Sequence, residues 1–109
     1  MLKFYGIKNC SSVKKAMDYL NSKQIELEFL DIKKLDEETL EFWLSKRSVL
    51  ELVNTAGTSA RKIGLNKEKL QSLSQDEIKA MILQSPTLIK RPLIVKDGEV
   101  FIAKEYESF

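Results

Sequence analysis

The hydrophobic spacing changes twice between Leu2 and Ile32, and few architectures accommodate that order. Leu2, Phe4, Tyr5 and Ile7 surround Gly6 in a short strand-like run that ends close to Cys10. From Ser12 onward Val13, Ala16, Met17 and Leu20 fall on one stripe, with Lys14, Lys15 and Asp18 away from it. That is the spacing of an amphipathic helix. A polar break at Asn21, Ser22 and Lys23 leads into Ile25, Leu27, Phe29 and Leu30, a second strand ending near Asp31. If the two strands are parallel, their helical connection crosses over right-handed.

The middle of the chain reads as a run of helices. Asp36 can cap the backbone donors of Glu38 or Thr39, and Leu35 and Leu40 have the separation of a hydrophobic staple, followed by Trp43 and Leu44 as core anchors. Leu50 and Val53 continue a helical face up to the polar turn Asn54 to Thr58, and Ala60 to Gly64 suits one further helical turn. Ser74 and Glu77 form a capping box, Leu73 staples against Ile78, and Pro86 ends the run. The period then returns to that of strands at Leu93 to Val95 and Val100 to Ala103, a hairpin with its turn at Lys96, Asp97, Gly98 and Glu99. Lys104 to Phe109 suits a last helix. Helices packed around a mixed sheet are the most economical α/β arrangement of this order.

The 109 residues suit a single domain spanning 1–109. Eighteen Lys and Arg against sixteen Asp and Glu leave a charge of +2, with no long basic tract, so neither direct nucleic-acid binding nor a membrane partner is expected. The N-terminus lacks the apolar core of a signal peptide and no segment approaches 18 consecutive apolar residues, so a cytoplasmic protein is expected. Histidine is absent and Cys10 is the one cysteine, which excludes histidine triads, two-cysteine metal sites and an intrachain disulfide.

Cys10 therefore becomes the centre of the functional question. It sits where a strand meets a helix, a place where free backbone N–H groups and the helix dipole favour a thiolate, with Ser11 and Ser12 as donors beside it. The alternative is an unreactive, partly buried thiol. Arg91 offers a fork for an oxyanion or a carboxylate, or else a solvated ion-pairing side chain. Pro92 after it can be cis or trans. Lys8, Lys14, Lys15 and Lys90 either add to a positive field at the thiol or are simply solvated.

Phe4-Tyr5-Gly6-Ile7-Lys8-Asn9-Cys10-Ser11-Ser12-Val13-Lys14-Lys15-Ala16, then Asn54-Thr55-Ala56-Gly57-Thr58 and Lys90-Arg91-Pro92-Leu93-Ile94-Val95 with Asp97-Gly98, resemble the arsenate reductase ArsC family, which includes the Spx-like regulators. The resemblance covers nearly the whole chain. It implies a thioredoxin-like mixed sheet with a helical insertion at approximately 35–85, Cys10 as nucleophile, Arg91 as the active-site arginine and a cis Pro92. Ser11, Ser12, Lys8 and Pro92 are expected to bind substrate at this helix start, and Lys104 joins them because it lies near where arsenate reductases place another cationic residue. The chain carries Leu50 where arsenate reductases have a further active-site arginine, and Val13 where many Spx-like regulators place the second cysteine of a paired switch.

Two functions follow. One is an ArsC-like thiol oxidoreductase in which Cys10 attacks a small thiol or oxyanion substrate, with no tightly bound cofactor and an external thiol such as glutathione as cosubstrate. The other is an Spx-like regulatory module that binds RNA polymerase without an intramolecular cysteine switch. A thioredoxin-like domain whose site has decayed is a third.

Overall fold

A computed structural model describes all residues 1–109. Its strands are β1 (Leu2–Gly6), β2 (Leu27–Asp31), β3 (Leu93–Lys96) and β4 (Glu99–Ile102). Its helices are α1 (Ser11–Ser22), α2 (Glu37–Lys46), α3 (Val49–Leu52), α4 (Thr58–Lys62), α5 (Lys67–Ser72) and α6 (Gln75–Gln84). The strand order is β2-β1-β3-β4, with β1 parallel to β2 and antiparallel to β3, and β3 antiparallel to β4. This mixed sheet has thioredoxin-like topology interrupted by helices, as the resemblance implies.

The chain forms two compact units, Met1–Ile32 with Arg91–Phe109, and Lys33–Lys90. In the first, Leu2 and Phe4 of β1, Val13, Ala16 and Leu20 of α1, Ile94 of β3 and Tyr106 form the buried cluster. Val13, Ala16 and Leu20 are three of the four positions of the predicted stripe, so the 3.6-residue period brings α1 onto the sheet. The fourth, Met17, is only half-buried. In the second unit α2 packs on α6 and α3 on α5, around buried Leu40, Trp43, Leu52, Leu70, Ile78 and Ile82. Each fully buried Leu-sized side chain stabilises its unit by roughly 1.5–3 kcal/mol, which makes these positions decisive over exposed ion pairs.

Several boundaries differ from expectation for local reasons. Ile25 belongs to the end of α1 rather than to β2: its N–H donates to Leu20 O at 2.9 Å and that of Gln24 to Asn21 O at 3.0 Å. These two bonds form a Schellman cap, with Gln24 left-handed at φ 58°. Lys96 and Glu99 pair with each other as strand residues, which tightens the hairpin to Asp97 and Gly98, both at positive φ. The tail from Ala103 to Ser108 is 3₁₀ rather than α-helical. It is held by the Tyr19 hydroxyl donating to Glu107 O at 2.9 Å, and Phe109 meets Phe101 edge-on at 4.8 Å between ring centres. Helix α5 was not anticipated, and Asn66 caps it by accepting from Lys69 N–H at 2.8 Å.

Three caps in the second unit carry perturbed carboxylates. Hydrogen bonds from Thr39, hydroxyl and then backbone, hold Asp36 below its ordinary 3.8. The Ser48 N–H, followed by the Arg47 guanidinium, holds Glu51 below 4.5, and the Ser74 N–H and hydroxyl do the same for Glu77. Because each folded-state value lies below the unfolded one, the contribution is complete above about pH 5 and is lost as pH falls through the folded values. Thermal melts between about pH 7 and pH 2.5 are expected to show a falling midpoint below pH 5, with a shallower fall in the triple variant Asp36→Asn, Glu51→Gln, Glu77→Gln. Gln24→Gly is expected to stabilise the chain by about 0.5–1 kcal/mol in urea unfolding, since glycine removes the left-handed strain at the α1 cap.

Candidate functional site

The β1–α1 junction is built from a close approach. A Cβ on Gly6 would lie 2.9 Å from Val13 Cγ2 and 3.0 Å from Cγ1, so the missing side chain is what lets the first turn of α1 seat on the end of β1. Asn9 takes a left-handed φ of 64°, and Cys10 then serves as the extended N-cap residue, its carbonyl accepting from Lys14 N–H at 3.0 Å. The Cys10 side chain makes no capping hydrogen bond, and the first turn carries no acidic residue. The thiol is free and half-buried against the core cluster.

Two depressions flank this helix start. One, of about 770 Å³, holds Cys10 with Ile7, Lys8 and Asn9 from the loop, Val13, Lys14 and Met17 from α1, and Phe29 from β2. The other, of about 440 Å³, holds Arg91 and Pro92 with Ser11, Ser12, Lys15, Ala103, Lys104 and Tyr106. The predicted site residues are therefore divided: Lys8 and Cys10 lie in the first, Ser12, Arg91, Pro92 and Lys104 in the second, and Ser11 lines both. The Arg91–Pro92 peptide bond is cis, and Pro92 O accepts from Ala103 N–H at 3.0 Å, which ties this loop to the end of β4.

Three cations and no carboxylate line the second depression, giving it the character of an anion-facing surface. Burial, with the Glu107 charge behind it, pushes the Tyr106 hydroxyl up, so this wall stays neutral. Lys90, grouped with the other lysines as a source of positive field, is in the other unit, where its N–H donates to Leu52 O at 2.8 Å. Sequence reasoning missed Lys15 as a companion of Arg91, and it missed Phe29 and Met17 as walls around Cys10. Cys10, Lys14, Met17 and Asn21 follow the spacing of one helix face, a signal that was available.

Residues 5–109 match the model of the ArsC family. The chain belongs to this family. An uncharacterized protein of Haemophilus influenzae is 35% identical, over 99% of this chain and 97% of its own length. The crystal structure of a possible arsenate reductase from Streptococcus mutans UA159 superposes with a TM-score of 0.79 at 35% identity, covering 100% of this chain and 98% of that one. The regulatory protein MgsR of Bacillus subtilis is 23% identical, over 93% of this chain and 81% of its own. The ArsC-family kinship thus extends along nearly the full length.

The expectation of a thiol oxidoreductase with Cys10 as nucleophile and glutathione as external thiol is corrected. Cys10 is the single cysteine, so the chain holds neither a disulfide nor a redox-active pair. The position three residues on is Val13, 3% exposed and packed on Gly6, a core side chain in place of a second thiol. Arg91 lines the neighbouring depression, which shares Ser11 with that of Cys10.

Val13 and Gly6 also define a test of this junction. Gly6→Ala is expected to cost about 1–3 kcal/mol in chemical denaturation, because the new methyl would lie 2.9 Å from a buried, branched side chain. Gly6→Ala combined with Val13→Ala is expected to recover part of the loss, a coupling that a double-mutant cycle reads directly.

Proposed function

We propose that this ArsC-family chain is an Spx-like regulatory module of the cytoplasm, acting by binding to RNA polymerase rather than by turnover and working without an intramolecular cysteine switch. The observation that carries the reading is Val13: a buried valine stands where a paired-cysteine switch needs its second thiol, so the state of Cys10 is not relayed to a partner within the chain. Likeness to a regulatory protein, MgsR, supports it. The near-balanced charge favours a protein partner over bare nucleic acid.

In this reading the substrate-binding assignments become contacts. Arg91, with Lys104 beside it, meets an acidic group of the partner, Ser11 and Ser12 supply hydroxyl donors, and Pro92 shapes the loop that presents the guanidinium. Cys10 and Lys8, on the other flank of α1, are not needed for that contact.

The test is surface plasmon resonance of the purified chain against core RNA polymerase. Binding with a Kd on the order of micromolar is expected, the range of transient regulatory contacts. Cys10→Ser and added oxidant should each leave the affinity within about twofold, whereas Arg91→Glu should weaken it about tenfold by reversing the charge at the contact. Absence of polymerase binding by the wild-type chain sinks this reading, and so does binding that requires Cys10.

A further inference from the structure

The first depression has a form that this reading leaves unused. In the sheet β2 pairs only with β1, so its outer edge meets no strand. Helix α1 rests on Phe4 of β1 and Ile94 of β3 and covers Phe29 of β2 only in part. A groove therefore runs between the flank of α1 and the open sheet edge. Its apolar floor is Cys10, Val13, Met17 and Phe29, and exposed Lys8 and Lys14 stand at one end. Asp18 and Asn21 stand at the other.

We propose that this groove binds an extended segment of a partner protein that carries one large apolar side chain with a carboxylate close beside it. The segment's backbone adds to the open edge of β2, its apolar side chain lies on Met17 and Phe29, and its carboxylate meets Lys8 and Lys14. Three features argue for this occupant. An edge strand presents backbone donors and acceptors that an added strand satisfies. Phe29 and the pliable Met17 leave apolar surface that a side chain can cover. The charges are segregated, with both cations at the loop end and the one carboxylate lining the groove at the far end, so an acidic residue is accepted on one side of the anchor only.

Spacing limits the motif further. Lys14 and Met17 are three positions apart on α1, about 4.5 Å along its axis, which one or two residues of extended chain span. The anchor and the carboxylate are therefore adjacent or nearly so. Nothing in this groove depends on polymerase being the partner: peptide binding without polymerase binding leaves this inference standing, and polymerase binding through the Arg91 surface does not establish it.

The experiment uses two capped seven-residue peptides. One has a central phenylalanine between valines with a glutamate outside one of them and a serine outside the other; the second has a lysine in place of the glutamate. Titrated into the isotopically labelled full chain at low salt, the acidic peptide is expected to move the amide resonances of Met17, Phe29 and Leu30 and to bind about fivefold tighter than the basic one, the difference closing at high salt. The double variant Lys8→Glu, Lys14→Glu, at exposed positions that leave the core intact, should exchange the preference, and Met17→Asp should abolish binding of the acidic peptide. Equal binding of the two peptides, shifts confined to other parts of the chain, no shifts at millimolar peptide, or an unchanged preference in the double variant would each overturn the proposal.

Discussion

The seat of Val13 on Gly6 is the contact on which the rest of the sheet-bearing unit depends. Only a residue without a Cβ lets the first turn of α1 come this close to β1. That approach sets the angle at which α1 crosses the sheet, and with it the partial cover over Phe29. It also makes Cys10 the N-cap residue and leaves Lys8 and Asn9 to bridge the turn. The two depressions are the two sides of a single helix start, and both exist because that start is pressed down onto the strand.

Such a construction separates roles that a linear reading joins. Cys10, Ser11 and Ser12 are neighbours in the chain, yet successive residues of a helical turn point about 100° apart, so Cys10 and Ser12 face different surroundings. The cis peptide loop and the 3₁₀ tail bring Arg91 and Lys104 to the side of Ser11 and Ser12. Cys10 and Arg91, which look like one centre in the sequence, line neighbouring depressions that share Ser11. With valine in the core where a second thiol would have to sit, the chain has no partner within itself with which Cys10 could close a disulfide.

Signals carried within a few residues of chain were legible. Asp36 receives the Thr39 N–H, and Ser74 and Glu77 close their capping box, as their types and spacing required. The same pattern at Ser48 and Glu51 passed unread because α3 is only four residues long, and the face read at Leu50 and Val53 is not the buried one: Leu50 is exposed and Leu52 is buried. Helix α5 escaped for a similar reason: left-handed Gly64 looked like the end of a helical region, although it separates two short helices. The fold and the place of Cys10 were legible because period changes are local. The grouping of Arg91 with Lys15 and Lys104 was not, since it depends on which flank of α1 each loop reaches, a matter of sheet order rather than of spacing.

The mixed sheet also bears on how the chain acquires its shape. β1 finds β2 across one helix, but Lys3, Phe4 and Tyr5 must find Val95, Ile94 and Leu93 across the whole helical insertion. Closing a loop costs entropy that grows with the logarithm of its length, so the second pairing is the slower search. The insertion shortens that search from within. The bridge between Val53 and Ile89 and the bond from Lys90 N–H to Leu52 O fold its far end back on itself before Arg91 is reached. An insertion that organises itself in this way spares the sheet from closing around a slack loop, and it allows the central strand to have one local and one distant neighbour.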